Sequence, residues 1–152
     1  MKRKTAIEII VALVMFLFLY ATSSKLMEYK VFEAQLGRSP MTTRIAGYLA
    51  WLVPGTEIII SALLAIPRAR LLGLYASFSL MSAFTAYISI MLMFSPSLPC
   101  SCGGVLSHME WNEHLMFNIG VTVLCGVGVL LQVRELKTES NENFANTNPS
   151  LI

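Results

Sequence analysis

The sequence predicts an all-α membrane protein, a four-transmembrane-helix bundle with an interfacial amphipathic helix after the first span. Three observations carry this. Only 13% of the 152 residues are charged while 55% are hydrophobic, against roughly 25% charged in ordinary soluble domains. The apolar residues come in four long blocks. Short polar segments separate the blocks, and no internal repeat connects them. A net charge of +2 and the lack of a basic stripe give no reason to expect nucleic acid.

The first block runs over about residues 6–22, "AIEIIVALVMFLFLYA" and the residue beyond it. The second covers about 45–66, the third 71–94 and the fourth 114–133. At 1.5 Å rise per residue, ~20 residues cross a ~30 Å hydrocarbon layer. Each block meets that length, the first only when its helix continues through Ser23 and Ser24. "MKRK", the apolar run and "ATSS" also resemble a secretory signal peptide cleaved after Ser23. Removing that span would leave three helices and break the charge asymmetry below, so four spans are preferred.

Between the first two spans, Leu26, Tyr29, Phe32 and Leu36 recur every three or four residues, with Lys25, Glu28, Lys30 and Glu33 interspersed. That pattern predicts a helix lying at the membrane surface, ended by Gly37 and Pro40. Spans two and three are joined by "PRAR". Residues 1–134 form the membrane domain. Residues 135–152, polar and Asn-rich, predict a disordered cytoplasmic tail.

Positive charge sets the orientation. With the N-terminus cytoplasmic, Lys2, Arg3, Lys4, Arg68, Arg70, Arg134 and Lys137 lie inside; Lys25, Lys30, Arg38 and Arg44 lie outside. The loop between spans three and four has no Lys or Arg. The expectation is an inner-membrane protein with both termini cytoplasmic and this loop periplasmic.

That loop holds "PCSCGGVLSHMEWNEH". On the outer face disulfides persist. Cys100 and Cys102 are separated by one residue, so a bond between them closes a small strained ring, and strained disulfides exchange readily. Ser107 and Glu110 have capping-box spacing at the start of the fourth helix. Free N–H groups there, and His108 when protonated, favour a thiolate. Glu110, His114 and Asn118 share one helix face, suited to moving protons beside the thiols. The bland readings are a structural clasp for the cysteines and solvated interfacial roles for Glu110 and His114. A third is Cu(I) held by the thiolates with His108 and methionines. Zinc lacks its usual second Cys pair. Cys125, alone in span four, reads as a packing residue.

Glu57 lies near the middle of span two, where a charge is costly. It follows Pro54 and Gly55 in "VPGTE". It is a candidate for a proton or quinone-headgroup site, or else hydrogen-bonded glue between helices. Glu8, four after Lys4, predicts a surface pair with it. Gly73, Ser77, Ser79, Ser82, Ala83, Ala86 and Ser89 give span three small residues for close packing.

Four spans, "VPGTE", "KLMEYKVFEAQLGRSP" and C-x-C-G before span four together resemble the methylamine-utilisation MauE family, within the broader DoxX-like group. The likeness covers roughly residues 6–134. Gly103-Gly104 replaces the aromatic that often follows C-x-C in the family. The resemblance implies a membrane bundle serving redox maturation of periplasmic proteins. It implies Cys100 and Cys102 as the redox pair and Glu57 as the membrane acid; on the MauE side it implies disulfide formation in a secreted dehydrogenase subunit, and on the DoxX-like side an oxidoreductase linked to a membrane quinone. A periplasmic or membrane protein would be the partner. The rival classes remain a non-enzymatic membrane subunit and a copper-handling protein.

Overall fold

The computed structural model describes residues 2–38, 42–94 and 111–147. Those residues are almost wholly helical, as an apolar chain must be when hydrocarbon offers its backbone no partner. The helices are α1 (Lys2–Met27), α2 (Tyr29–Arg38), α3 (Ala46–Ala65), α4 (Arg70–Phe94) and α5 (Trp111–Thr147), with one 3₁₀ turn at Thr43–Ile45. Four of them, α1, α3, α4 and α5, are long and apolar enough to cross a membrane. Only 28% to 33% of each span's most apolar stretch is buried inside the protein. The outward faces are therefore apolar surface that lipid must cover.

Each span packs on its neighbours in chain order, and α5 closes the ring against α1. This is an up-down-up-down bundle. The inward residues recur at helical spacing. On α1 they are Ile7, Ile10, Val11, Val14, Phe18 and Thr22; on α5 they are His114, Asn118, Val121, Cys125 and Val129. Two glycines set how closely the helices approach. A Cβ on Gly73 would stand 3.0 Å from the Leu64 backbone nitrogen, and one on Gly128 would stand 3.1 Å from Ile10 and Leu74. The α3–α4 contact at Gly73 uses the small-residue packing expected of span three.

α2 follows α1 after a single turn residue, Glu28, and packs on α3. Its contacts run antiparallel to α3: Tyr29 stacks on Trp51 with ring centroids 5.4 Å apart. Further on, Glu33 Oε1 lies 3.5 Å from the Cβ position of Gly47. At its end, the hydroxyls of Thr42 and Thr43 donate to the carbonyls of Leu36 and Gly37 at 2.6 and 3.0 Å. They satisfy two carbonyls that a helix terminus leaves unpaired.

Two expectations change. Residues 135–147 are helical, continuing α5 where composition alone predicts disorder. Extending an existing helix avoids the nucleation cost, and this segment has partners. Lys4 Nζ donates to Glu139 at 2.8 Å and lies 3.6 Å from Glu135, while Arg3 stands 3.7 Å from Glu135. The same contacts draw Lys4 away from Glu8, which is exposed.

Candidate functional site

The core divides along its length. Toward the end holding both termini it is mostly apolar: Ile7, Ile10, Val11, Val14, Leu64, Leu74, Cys125 and Val129 are all buried there, and the buried hydroxyls of Ser61 and Ser77 donate back to the Glu57 and Gly73 carbonyls of their own helices. Toward the other end, where α4 finishes and α5 begins, the same inward stripes turn polar. Thr22, Glu57, His114 and Asn118 are buried in this half.

Glu57 is at the centre. Pro54 and Gly55 precede it within α3, and Thr56 Oγ1 donates to the Val53 carbonyl at 2.8 Å. The buried stripe Ala50, Pro54, Glu57, Ser61 and Leu64 aims the carboxylate at α1. It is 1% exposed. Thr22 Oγ1 donates to Oε2 at 2.8 Å, and Lys25 Nζ donates to Oε1. Lys25 belongs to the same α1 stripe, three residues after Thr22, and its side chain is 12% exposed. Its ammonium also faces two rings, 5.2 Å from the centroid of Phe84 on α4 and 5.7 Å from Phe32 on α2. Four helices thus converge on one ammonium group.

The pairing explains how an acid survives at this depth. An isolated carboxylate in a medium of low polarity is so costly that it takes up a proton. A buried cation with hydrogen-bonding geometry offsets that cost. Trp51 and Tyr48 are exposed on α3, the aromatic signature of a membrane–water boundary. Glu57 lies six residues past Trp51, about 9 Å deeper along the helix.

On α5, His114 and Asn118 are 8% and 5% exposed. Asn118 Nδ2 donates to the His114 carbonyl at 2.9 Å, and Thr122 Oγ1 donates to the Asn118 carbonyl at 2.7 Å. The Thr122 and Thr85 hydroxyls sit 3.2 Å apart across α4 and α5. His114 therefore faces the bundle interior and not solvent.

Of the residues singled out from sequence, Glu57 and His114 occupy the same polar half of the core. Cys100, Cys102 and Glu110, with Ser107 and His108, lie outside the described residues. The segment 95–110 that contains them joins α4 to α5, which end and begin at the polar end. Cys125 is fully buried in the apolar cluster, a reduced packing residue as expected. Among the described residues no group of three His, Cys, Asp or Glu side chains is placed to hold a metal. Sequence reasoning missed Lys25 and Thr22. Their signal was the series Val14, Phe18, Thr22, Lys25 at spacings of four, four and three, which carries the core-facing stripe past the apolar block.

A family model described as methylamine utilisation protein MauE matches residues 3–131. No curated protein and no solved structure matches the chain.

Proposed function

The chain belongs to the MauE family, and we propose that it handles thiol–disulfide electrons at the extracytoplasmic face of an inner membrane. The observation that carries this is the buried Lys25–Glu57 pair at the end of the bundle from which the Cys100–Cys102 segment leaves. In this reading both termini are cytoplasmic, α2 lies at the outer interface, and the C-x-C segment meets a periplasmic or membrane protein partner. Seven Lys and Arg on the terminal side against four on the other support that sidedness.

A Cys100–Cys102 disulfide takes two electrons and two protons from a partner dithiol through a mixed disulfide, leaving the partner oxidised and the pair reduced. Regenerating the disulfide requires an acceptor of two electrons and two protons, which a membrane quinone supplies when bound. The polar half of the core fits such a ring. It combines a hydroxyl, an ammonium and a carboxylate with two aromatic faces, in keeping with mostly apolar cofactor sites carrying few polar groups. Glu57 is the candidate cofactor-site acid. Glu110 and His114 take up and pass on protons released at the thiols.

Alkylation trapping in living cells tests the reading. Cys100 and Cys102 are expected to be found in both redox states and to shift toward dithiol when quinone synthesis is blocked. Cys102→Ser is expected to accumulate a mixed disulfide with the partner. Thiols that stay permanently reduced in an oxidising periplasm would refute it. A Cys100→Ser, Cys102→Ser double variant that alters only stability would point to a structural clasp.

A further inference from the structure

Glu57, the acid that sequence alone brings forward, is poorly placed to meet a ligand. Both of its oxygens already accept a hydrogen bond, Oε1 from Lys25 and Oε2 from Thr22, and its side chain is buried. Lys25 is the reverse. An ammonium carries three N–H donors; one goes to Glu57, and the rest of the group faces the rings of Phe84 and Phe32. We propose that Lys25 is the ligand-facing donor of this site, with Glu57 as its buried counter-ion. The assignment rests on the quinone-linked reading above and names the residue that performs it.

The surroundings define the ligand's chemistry. Lys25 and Glu57 neutralise each other, so a charged ligand would lack a free counter-charge and would leave water at full cost. A neutral group with a hydrogen-bond-accepting oxygen suffers no such penalty. Phe84 from α4 and Phe32 from α2 present aromatic faces to the same ammonium, which suits a flat ring. The depth, about 9 Å of helix beyond Trp51, suits a molecule that partitions into lipid. These properties together describe the carbonyl-bearing ring of a lipid-soluble quinone.

Binding of decylubiquinone to the full-length protein in lipid nanodiscs tests this, followed by quenching of tryptophan fluorescence. Losing one hydrogen bond from a charged donor corresponds to about a ten- to hundred-fold weaker dissociation constant. Lys25→Met should show that loss. Lys25→Arg, which keeps the charge and donors, should bind within a few-fold of the natural protein. Because Lys25→Met leaves Glu57 unpaired and risks misfolding, Lys25→Met combined with Glu57→Leu provides a folded control that should also fail to bind. Natural-type affinity in either Met variant would overturn the assignment of Lys25 and leave the quinone reading standing. No binding to the natural protein would overturn both.

Discussion

Breaking the Lys25–Glu57 pair from one side should be far more damaging than removing it whole. In Lys25→Met, Glu57 keeps Thr22 as a hydrogen-bond donor but loses its counter-charge. With Glu57 at 1% and Lys25 at 12% side-chain exposure, solvent screens the pair little. Leaving one partner of such a pair typically costs about 3–5 kcal/mol. Glu57→Leu should cost a similar amount, because it strands the ammonium. The double variant replaces both charges with apolar groups of similar length. It should lie within about 1 kcal/mol of the natural protein or above it. The assay is a double-mutant cycle of unfolding free energies in lipid bicelles. The expected coupling is several kcal/mol, well beyond the roughly 0.3–0.5 kcal/mol error of additivity for independent sites. Additive single effects would refute the reasoning, since they would mean that the charges do not depend on one another. Thr22→Val offers an internal calibration. It removes one neutral donor and should cost about 1 kcal/mol, near the upper range for hydrogen bonds inside membrane bundles.

Gly73→Ala should lower bundle stability by about 1–3 kcal/mol, because its Cβ would meet the Leu64 backbone at 3.0 Å; thermal unfolding in bicelles measures this. Gly126→Ala should be milder, since its nearest neighbour is the Phe78 ring edge at 3.4 Å. Cys125→Ser should destabilise by about 1–3 kcal/mol, through a hydroxyl buried where the core is apolar, without changing the trapped redox state of Cys100 and Cys102. Glu135→Gln with Glu139→Gln should speed hydrogen exchange in residues 135–147 and leave the spans protected, because it removes the contacts of Arg3 and Lys4 that hold the α5 extension. The same acceleration should appear in the natural protein at high salt, as exposed ion pairs are screened.

The four spans were legible because bilayer thickness is a length that sequence must match, and each apolar block matches it. Glu57 was legible as an anomaly, a carboxylate where charge is costly. Its partner was not, for a specific reason. Lys25 stands among the alternating charges of the run before α2, so by composition it joins the surface residues. Only the register of α1 shows it continuing the buried series through Phe18 and Thr22. The helical end of α5 was hidden by the opposite error. Its polar composition argues for disorder locally, yet it inherits a formed helix and meets cations from the distant N-terminus. Both misreadings arise from contacts separated by tens of residues, which periodicity in one segment does not report.

The polarity gradient of the core connects the fold to the site. A four-helix membrane bundle gains nothing in association by placing ions in its interior, since lipid is no worse a solvent for leucine than another helix is. An ion pair there must offset desolvation at both groups, and among the described residues it occurs in only one half of the core. That half also holds His114 and Asn118, inward residues of the opposite helix. A pair serving only as glue would stabilise α1 against α3 equally well near the termini, where Ile10, Val14 and Leu64 instead pack with no buried charged side chain among the described residues. The polar residues lie at the end where segment 95–110 begins and finishes. Cost confined to that end is what the proposed exchange of protons and electrons with that segment would require, and it is why Lys25 and Glu57 are the residues to alter first.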